Sequence, residues 1–245
     1  MNSKAIAICL ISLILAAPTS QQAAAAETVL PPTLAKALEG AELDSKDGWA
    51  FRQTVTVRTF DEPPTTVVTR WDPSKPDGAQ CTVVSVTTAD GKPHEDDACK
   101  GGHERETYGD LISMLQGATI RTISEDDERA VYSFDPKGDG HRFHIEGVQV
   151  GMGEDDVERL VGTLEVAKTG AGAPYVERYS IKLREPAGNL LARVHRVDVI
   201  YTFSPDLETG AKLLRGLDVN VHVSIITFFN VTTDVSMRFD EYRKL

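Results

Sequence analysis

From Trp49 onward the chain alternates apolar and polar residues with a period of two. Trp49, Phe51, Gln53, Val55 and Val57 fall on one side, and Ala50, Arg52, Thr54, Thr56 and Arg58 on the other. That is the pattern of a strand with one buried face. Further strands are predicted at Thr65–Trp71 and Cys81–Thr87, separated by the turn cluster Asp72-Pro73-Ser74-Lys75-Pro76-Asp77-Gly78. Thr119–Ile123 and Arg129–Phe134 read as short strands. Asp135-Pro136-Lys137-Gly138-Asp139-Gly140 is a hairpin turn, from which Phe143–Val150 pairs back. The C-terminal third is a meander of long strands, Leu160–Lys168, Tyr175–Arg184, Leu191–Phe203, Leu213–Phe229 and a last one ending at Phe239.

The period changes to that of a helix in two places. Leu34, Leu38 and Leu43 line one side of a predicted helix over Thr33–Leu43, started by Pro31-Pro32 and stopped near Gly48. Tyr108, Leu111, Ile112 and Leu115 fall at i, i+3, i+4 and i+7 of a second helix over Glu104–Gln116, with Gly117 as its stop. A strand of twelve residues is roughly 40 Å long, and a sheet of such strands twists and curls. The fold class is therefore mainly β (α+β): a strongly curved antiparallel sheet or half-barrel covered by two or three helices. Its inward set is Phe51, Val55, Val57, Tyr179, Ile181, Leu183, Val199, Tyr201, Phe203, Val221, Val223 and Ile225. These residues are either ordinary core or the lining of a ligand cavity.

The first 26 residues place the rest. Lys4 gives a basic start, Ala5–Leu15 is apolar apart from Ser12, and Ala24-Ala25-Ala26 precedes Glu27. This is the layout of a secretory signal peptide cleaved after Ala26, leaving a single domain over 27–245 in the periplasm or outside the cell. The apolar core of the leader falls short of the roughly 20 residues a membrane span needs, and the cleaved chain is not expected to be transmembrane. The leader holds Lys4 and no acid, so the remaining 219 residues carry 25 basic and 37 acidic groups, formally −12. That balance argues against nucleic acid and against adhesion to an anionic membrane. Cleavage also removes Cys9, and Cys81 and Cys99 are then expected to pair in an oxidising compartment. The bridge closes a loop of about 18 residues, worth roughly 3 kcal/mol in the chain-entropy description.

Several short motifs recur in a known group. They are Gly48-Trp49-Ala50-Phe51, Arg70-Trp71-Asp72-Pro73-Ser74-Lys75-Pro76-Asp77-Gly78 and Asp90-Gly91-Lys92-Pro93. Later come Tyr108-Gly109-Asp110-Leu111, Gly162-Thr163-Leu164-Glu165-Val166 and Phe239-Asp240-Glu241-Tyr242-Arg243. With the order of elements behind a leader, they give a chain that resembles the lipoprotein-localisation-factor (LolA/LolB-like) half-barrel superfamily. It is closest to proteobacterial envelope proteins of that type. The motifs mark turns and strand ends, not chemistry. The resemblance implies a hydrophobic cavity between sheet and helices that holds acyl chains or other amphiphiles. The arginine that works in the carrier family matches no specific residue here, and the Cys81–Cys99 loop is no part of the pattern.

Constellations for catalysis are weak. His94, Cys99 and His103 cluster with Glu95, Asp96 and Asp97 as a zinc site would, but a Cys81–Cys99 bridge consumes the thiolate. Asp135, Asp139, Gly140 and Glu146 match positions 1, 5, 6 and 12 of a calcium loop; Lys137 stands where an oxygen ligand is needed. There is no G-x-S-x-G elbow. His195 and His222 lie on strands, and Asp198, between Val197 and Val199, is expected to face outward into solvent. No catalytic residue, metal or cofactor is assigned. The expected function is non-enzymatic binding of an amphiphile, an acyl chain or a lipidated partner. The alternative is an envelope protein–protein interaction module with a packed core, its partner unknown.

Overall fold

The computed structural model describes residues 30–59, 62–88, 99, 105–136, 142–145, 148–151, 159–188, 192–225 and 229–245. The backbone alone is described at 46, 142–145, 148–151, 192, 225 and 229. Its strands are β1 (Trp49–Thr59), β2 (Thr65–Trp71), β3 (Cys81–Thr87), β4 (Thr119–Glu125), β5 (Arg129–Asp135), β6 (Arg142–Ile145) and β7 (Val148–Gly151). There follow β8 (Leu160–Ala167), β9 (Tyr175–Leu183), β10 (Ala187–Gly188), β11 (Ala192–Pro205), β12 (Lys212–Ile225) and β13 (Phe229–Lys244). Helix α1 (Pro32–Ala37) is followed by 3₁₀ turns at Ala41–Leu43 and Lys46–Gly48 that lead into β1, and helix α2 (Tyr108–Leu115) lies between β3 and β4.

One antiparallel sheet runs in the order β3-β2-β1-β13-β12-β11-β9-β8-β5-β4, with β10 paired to β11. It is curved and not closed, the mainly-β half-barrel that the alternation predicted. The first and last long strands lie side by side near its middle, Val57 opposite Val235 and Val55 opposite Met237.

The inner face is built from cross-strand rows. One runs Ile120, Phe134, Gly162, Ile181, Val199, Val219, Val235, Val57. The next runs Thr122, Tyr132, Leu164, Tyr179, Tyr201, Leu217, Met237, Val55, Val67. Gly162 is required where it stands, because a Cβ there would lie 2.1 Å from the Phe134 ring. A strand glycine of this kind lets a neighbouring aromatic ring lie flat across its backbone.

Four boundaries differ from the sequence reading. The first helix ends at Ala37 because Gly40 takes a left-handed φ of 78° and turns the chain into the 3₁₀ stretch. The second begins at Tyr108, where Thr107 and Asp110 form a capping box: the Thr107 side chain accepts from Asp110 N–H, and the Asp110 carboxylate accepts from Thr107 N–H. Phe143–Val150 does not pair back to the preceding strand; β6 and β7 pair with each other, and β5 lies between β4 and β8. Leu213–Phe229 is not one strand: β12 ends at Ile225 and Phe229, paired back opposite it, opens β13, which runs past Phe239 to Lys244.

Both sheet edges carry register shifts, one beside Val84 on β3 and one beside Ile123 on β4. These two apolar side chains are exposed. Bulges on edge strands spoil them as templates for pairing with another chain.

Candidate functional site

The interior between sheet and helices gathers the inward set. Phe51, Val55, Tyr179, Ile181, Val199, Tyr201, Phe203 and Val221 are buried in one cluster with Leu34, Tyr108, Leu111 and Leu115 of the helices. Val57, Leu183 and Val223 are partly buried against that cluster. Ile225 is placed by its backbone alone, opposite Ala192 and Phe229. The same cluster holds Tyr132, Phe134, Leu164, Leu217, Met237 and Phe239, none of which was in the predicted set. The alternation of Ala130, Tyr132 and Phe134, and of Val235, Met237 and Phe239, would have found them.

The closing contacts over this interior are polar and sit at the helix ends. Thr33 Oγ1 of α1 donates to Glu125 Oε1 at 2.8 Å, and Lys168 Nζ holds the same oxygen at 3.0 Å. At α2 the Tyr108 hydroxyl donates to the Ala37 carbonyl at 2.9 Å and accepts the Val176 N–H at 2.6 Å. Its backbone N–H donates to Asp44 Oδ2 at 3.0 Å. Asp44 also pairs with Arg105 at 2.7 Å, their side chains being 0% and 2% exposed. The Arg105 guanidinium lies 5.7 Å from the Phe51 ring centre and 5.6 Å from that of Tyr242; Arg215 lies 5.0 Å from Tyr242 as well. Two Arg105 nitrogens have no hydrogen-bond acceptor and rest among rings instead.

Tyrosines mark the interior. The Tyr179 and Tyr201 rings stack with centres 4.3 Å apart. Burial pushes the phenols of Tyr108, Tyr179, Tyr201 and Tyr242 well up from the ordinary value; nearby Arg105 partly offsets this at Tyr242. The Tyr132 hydroxyl is buried beside Thr33 without an aligned hydrogen-bond partner.

The remaining predicted candidates lie on the outer face or outside the described residues. Asp198 faces outward, but it is not freely solvated: Arg196 caps it, and its side chain is only 13% exposed. His195 and His222 stand on neighbouring strands with ring centres 5.1 Å apart, and His195 Nε2 lies 2.7 Å from Ser224 Oγ. Asp198, Asp218 and Asp234 border a shallow outer groove of about 320 Å³, with Arg238 held to Asp218 at 2.8 Å. Asp135 of the calcium-like pattern is paired with Arg121 and Arg184; Asp139, Gly140 and Glu146 lie outside the described residues. Cys81 and Cys99 are joined as a disulfide, while His94 and His103 lie outside the described residues. Among the described residues no three His, Cys, Asp or Glu side chains group as metal ligands.

The fold and site together define an open antiparallel half-barrel closed over its apolar face by two short helices. Compared with known protein families, characterised proteins and solved structures, the chain shows no match.

Proposed function

We propose that the protein is an exported, non-enzymatic half-barrel of the lipoprotein-localisation type. It holds an amphiphile, an acyl chain or a lipidated partner between sheet and helices. One observation carries this reading: an apolar inner face continuous from β1 to β5 is covered by helices of only six and eight residues, fastened at their ends by polar contacts. Polar fastenings can open without rebuilding the sheet. A guest chain gains about 0.8 kcal/mol per buried methylene. About six methylenes therefore contribute roughly 5 kcal/mol against the contacts given up when a helix lifts.

A second reading, an envelope interaction module with a packed core, draws on the burial of eight of the inward residues against the helices. Native mass spectrometry of the protein, purified from periplasm without detergent, separates the two. Extra mass that organic solvent removes supports the first. A mass equal to the bare disulfide-bonded chain supports the second.

A further inference from the structure

Where β1 begins and β2 and β13 finish, the sheet surface holds a concavity of about 370 Å³. Arg52, Arg70, Lys75 and Arg243 line it, against two lining carboxylates, Asp72 and Glu241. In a chain of formal charge −11 this is a local reversal of sign. Asp240, outside the concavity, holds Arg52 at 2.9 Å, and with it counted the group still carries one net positive charge. Lys75 faces Asp72 at longer range, adding to the positive field that holds this carboxyl below its usual range after the Ser74 hydrogen bonds.

The resident anions are few and shared. Glu241 alone bridges Arg52 at 2.7 Å and Arg70 at 2.9 Å. Asp72 takes Arg243 at 3.0 Å on one oxygen, while its other oxygen accepts the Ser74 N–H and hydroxyl. Three arginine forks and a lysine converging on one concavity suit an oxyanion.

The backbone at Glu241 is a second, independent mark. Glu241 has a φ of 50°, in the left-handed region that costs a non-glycine residue about 1–3 kcal/mol. It stands in a bulge: Ala50 is opposite Arg243 and Arg52 opposite Asp240, so two residues of β13 face Phe51 alone. The extra residue sends neighbours to opposite faces. Tyr242 turns inward, its ring centre 5.7 Å from that of Phe51, while the Glu241 carboxylate turns to the arginines. Phe51 and Trp71 line the concavity and also belong to, or pack on, the inner cluster. The basic concavity and the apolar interior thus lie back to back at this end of the sheet, on the two sides of Phe51 and Trp71.

We propose that this basin, at the rim where β1 begins and β2 and β13 finish, seats the anionic head, a phosphate or carboxylate, of an amphiphile whose chain passes over that rim, beside the Arg105 fastening, into the interior. Glu241 is the resident carboxylate that the head displaces. This rests on the amphiphile-binding reading above and names its substrate class: anionic single-chain amphiphiles.

The test uses the full exported chain, with dodecyl phosphate, dodecyl maltoside and inorganic phosphate as probes in titration calorimetry below micelle formation. Dodecyl phosphate is expected to bind about tenfold more tightly than dodecyl maltoside, the ratio for one lost charge-assisted contact. R70Q and R243Q abolish the preference without changing maltoside affinity. E241Q increases it several-fold, because it frees Arg52 and Arg70. General damage to the fold lowers both affinities and cannot produce opposite signs in E241Q and R70Q. Equal binding of the two amphiphiles overturns the basin and leaves the amphiphile reading standing. Binding of neither overturns both. Inorganic phosphate binding as tightly as dodecyl phosphate shows a free-oxyanion site and overturns the link to the interior.

Discussion

The buried pair Asp44–Arg105 ties together the 3₁₀ stretch after α1, the lead into α2 and the aromatic rings of β1 and β13, which makes it the contact to perturb first. Both side chains are shielded from water and meet at 2.7 Å. Removing one partner leaves an uncompensated buried charge, at a cost of about 3–5 kcal/mol. Asp44 also accepts the first amide of α2, a hydrogen bond worth about 1 kcal/mol net. D44L and R105M are therefore each expected to lose about 4 kcal/mol. The double variant D44L/R105M removes both charges and leaves apolar groups of similar size. It should lose under about 2 kcal/mol, the Tyr108 amide setting a floor of about 1. The coupling between the two sites is then about 6 kcal/mol or more. Equilibrium unfolding in urea, followed by tryptophan fluorescence, reads all three; at about 2–4 °C per kcal/mol for a chain of this size, each single variant melts roughly 8–16 °C lower. Hydrogen exchange at Tyr108–Leu115 should quicken in the single variants before the sheet is affected. Additive losses, or single variants within 1 kcal/mol of the parent, would refute the assignment of this pair as the fastening of the helices.

Gly162→Ala places a methyl inside the Phe134 ring, in a site with no room to move, and is expected to cost about 3 kcal/mol. In urea unfolding, G162A/F134A should be no less stable than F134A alone, and a further loss in the double variant rejects the close-contact account. Burial holds the phenols of Tyr108, Tyr132, Tyr175, Tyr179, Tyr201 and Tyr242 above their ordinary value. The folded chain keeps protons that the unfolded chain releases near pH 10, so their contribution is intact below pH ~10 and is lost as pH rises further. The slope is up to about 1.4 kcal/mol per pH unit per tyrosine. Phenolate absorbance that rises only together with unfolding is the expected result; free titration of most tyrosines in folded protein contradicts it. Replacing Cys81 and Cys99 by serine opens the bridge and should lower stability by about 3 kcal/mol, measured by urea midpoint with and without reductant.

What the sequence disclosed depended on how local each signal is. β2 and β3 lie where the period of two put them, Thr65–Trp71 and Cys81–Thr87, because a dense Pro, Asp and Gly turn separates them. The disulfide was legible because reading the first 26 residues as a leader set Cys9 aside and left two cysteines to pair. The pairing of β1 with β13 has no local signature, since it joins residues nearly two hundred positions apart. The division of Phe143–Val150 between β6 and β7 was missed because the apolar and polar residues of that run read as one strand. The inner face was half legible: alternation named Tyr179, Tyr201 and Val221, but the buried ion pair was invisible, because Arg105 stands in a polar lead and reads as solvated. The basin draws on Arg52, Arg70, Lys75 and Arg243 from separate segments, and only the register brings them together. The left-handed Glu241 follows from a bulge that no residue pattern announces.

The proportions of the molecule bear on where a guest would enter. Ten strands spaced about 4.8 Å apart would span roughly 43 Å if flat. Helices of six and eight residues are about 9 and 12 Å long. Two such rods cannot cover that width, so the sheet shelters most of its own apolar face by curling. This is why Phe51 of β1 and Phe203 of β11 share one cluster with the same helical leucines. The helices contribute few buried side chains, chiefly Leu34, Ala37, Tyr108, Leu111 and Leu115. Each buried leucine is worth about 1.5–3 kcal/mol, so lifting one helix costs a small number of contacts plus its polar fastening. Breaking any pair of central strands would cost a whole ladder of hydrogen bonds as well as packing. The helices are therefore the movable part and the sheet the fixed one. On the proposed reading, a guest that replaces the lost leucine contacts with its own methylenes would meet the smallest barrier there, and the Asp44–Arg105 fastening beside Phe51 and Tyr242 lies at the same end of the sheet as the basic concavity.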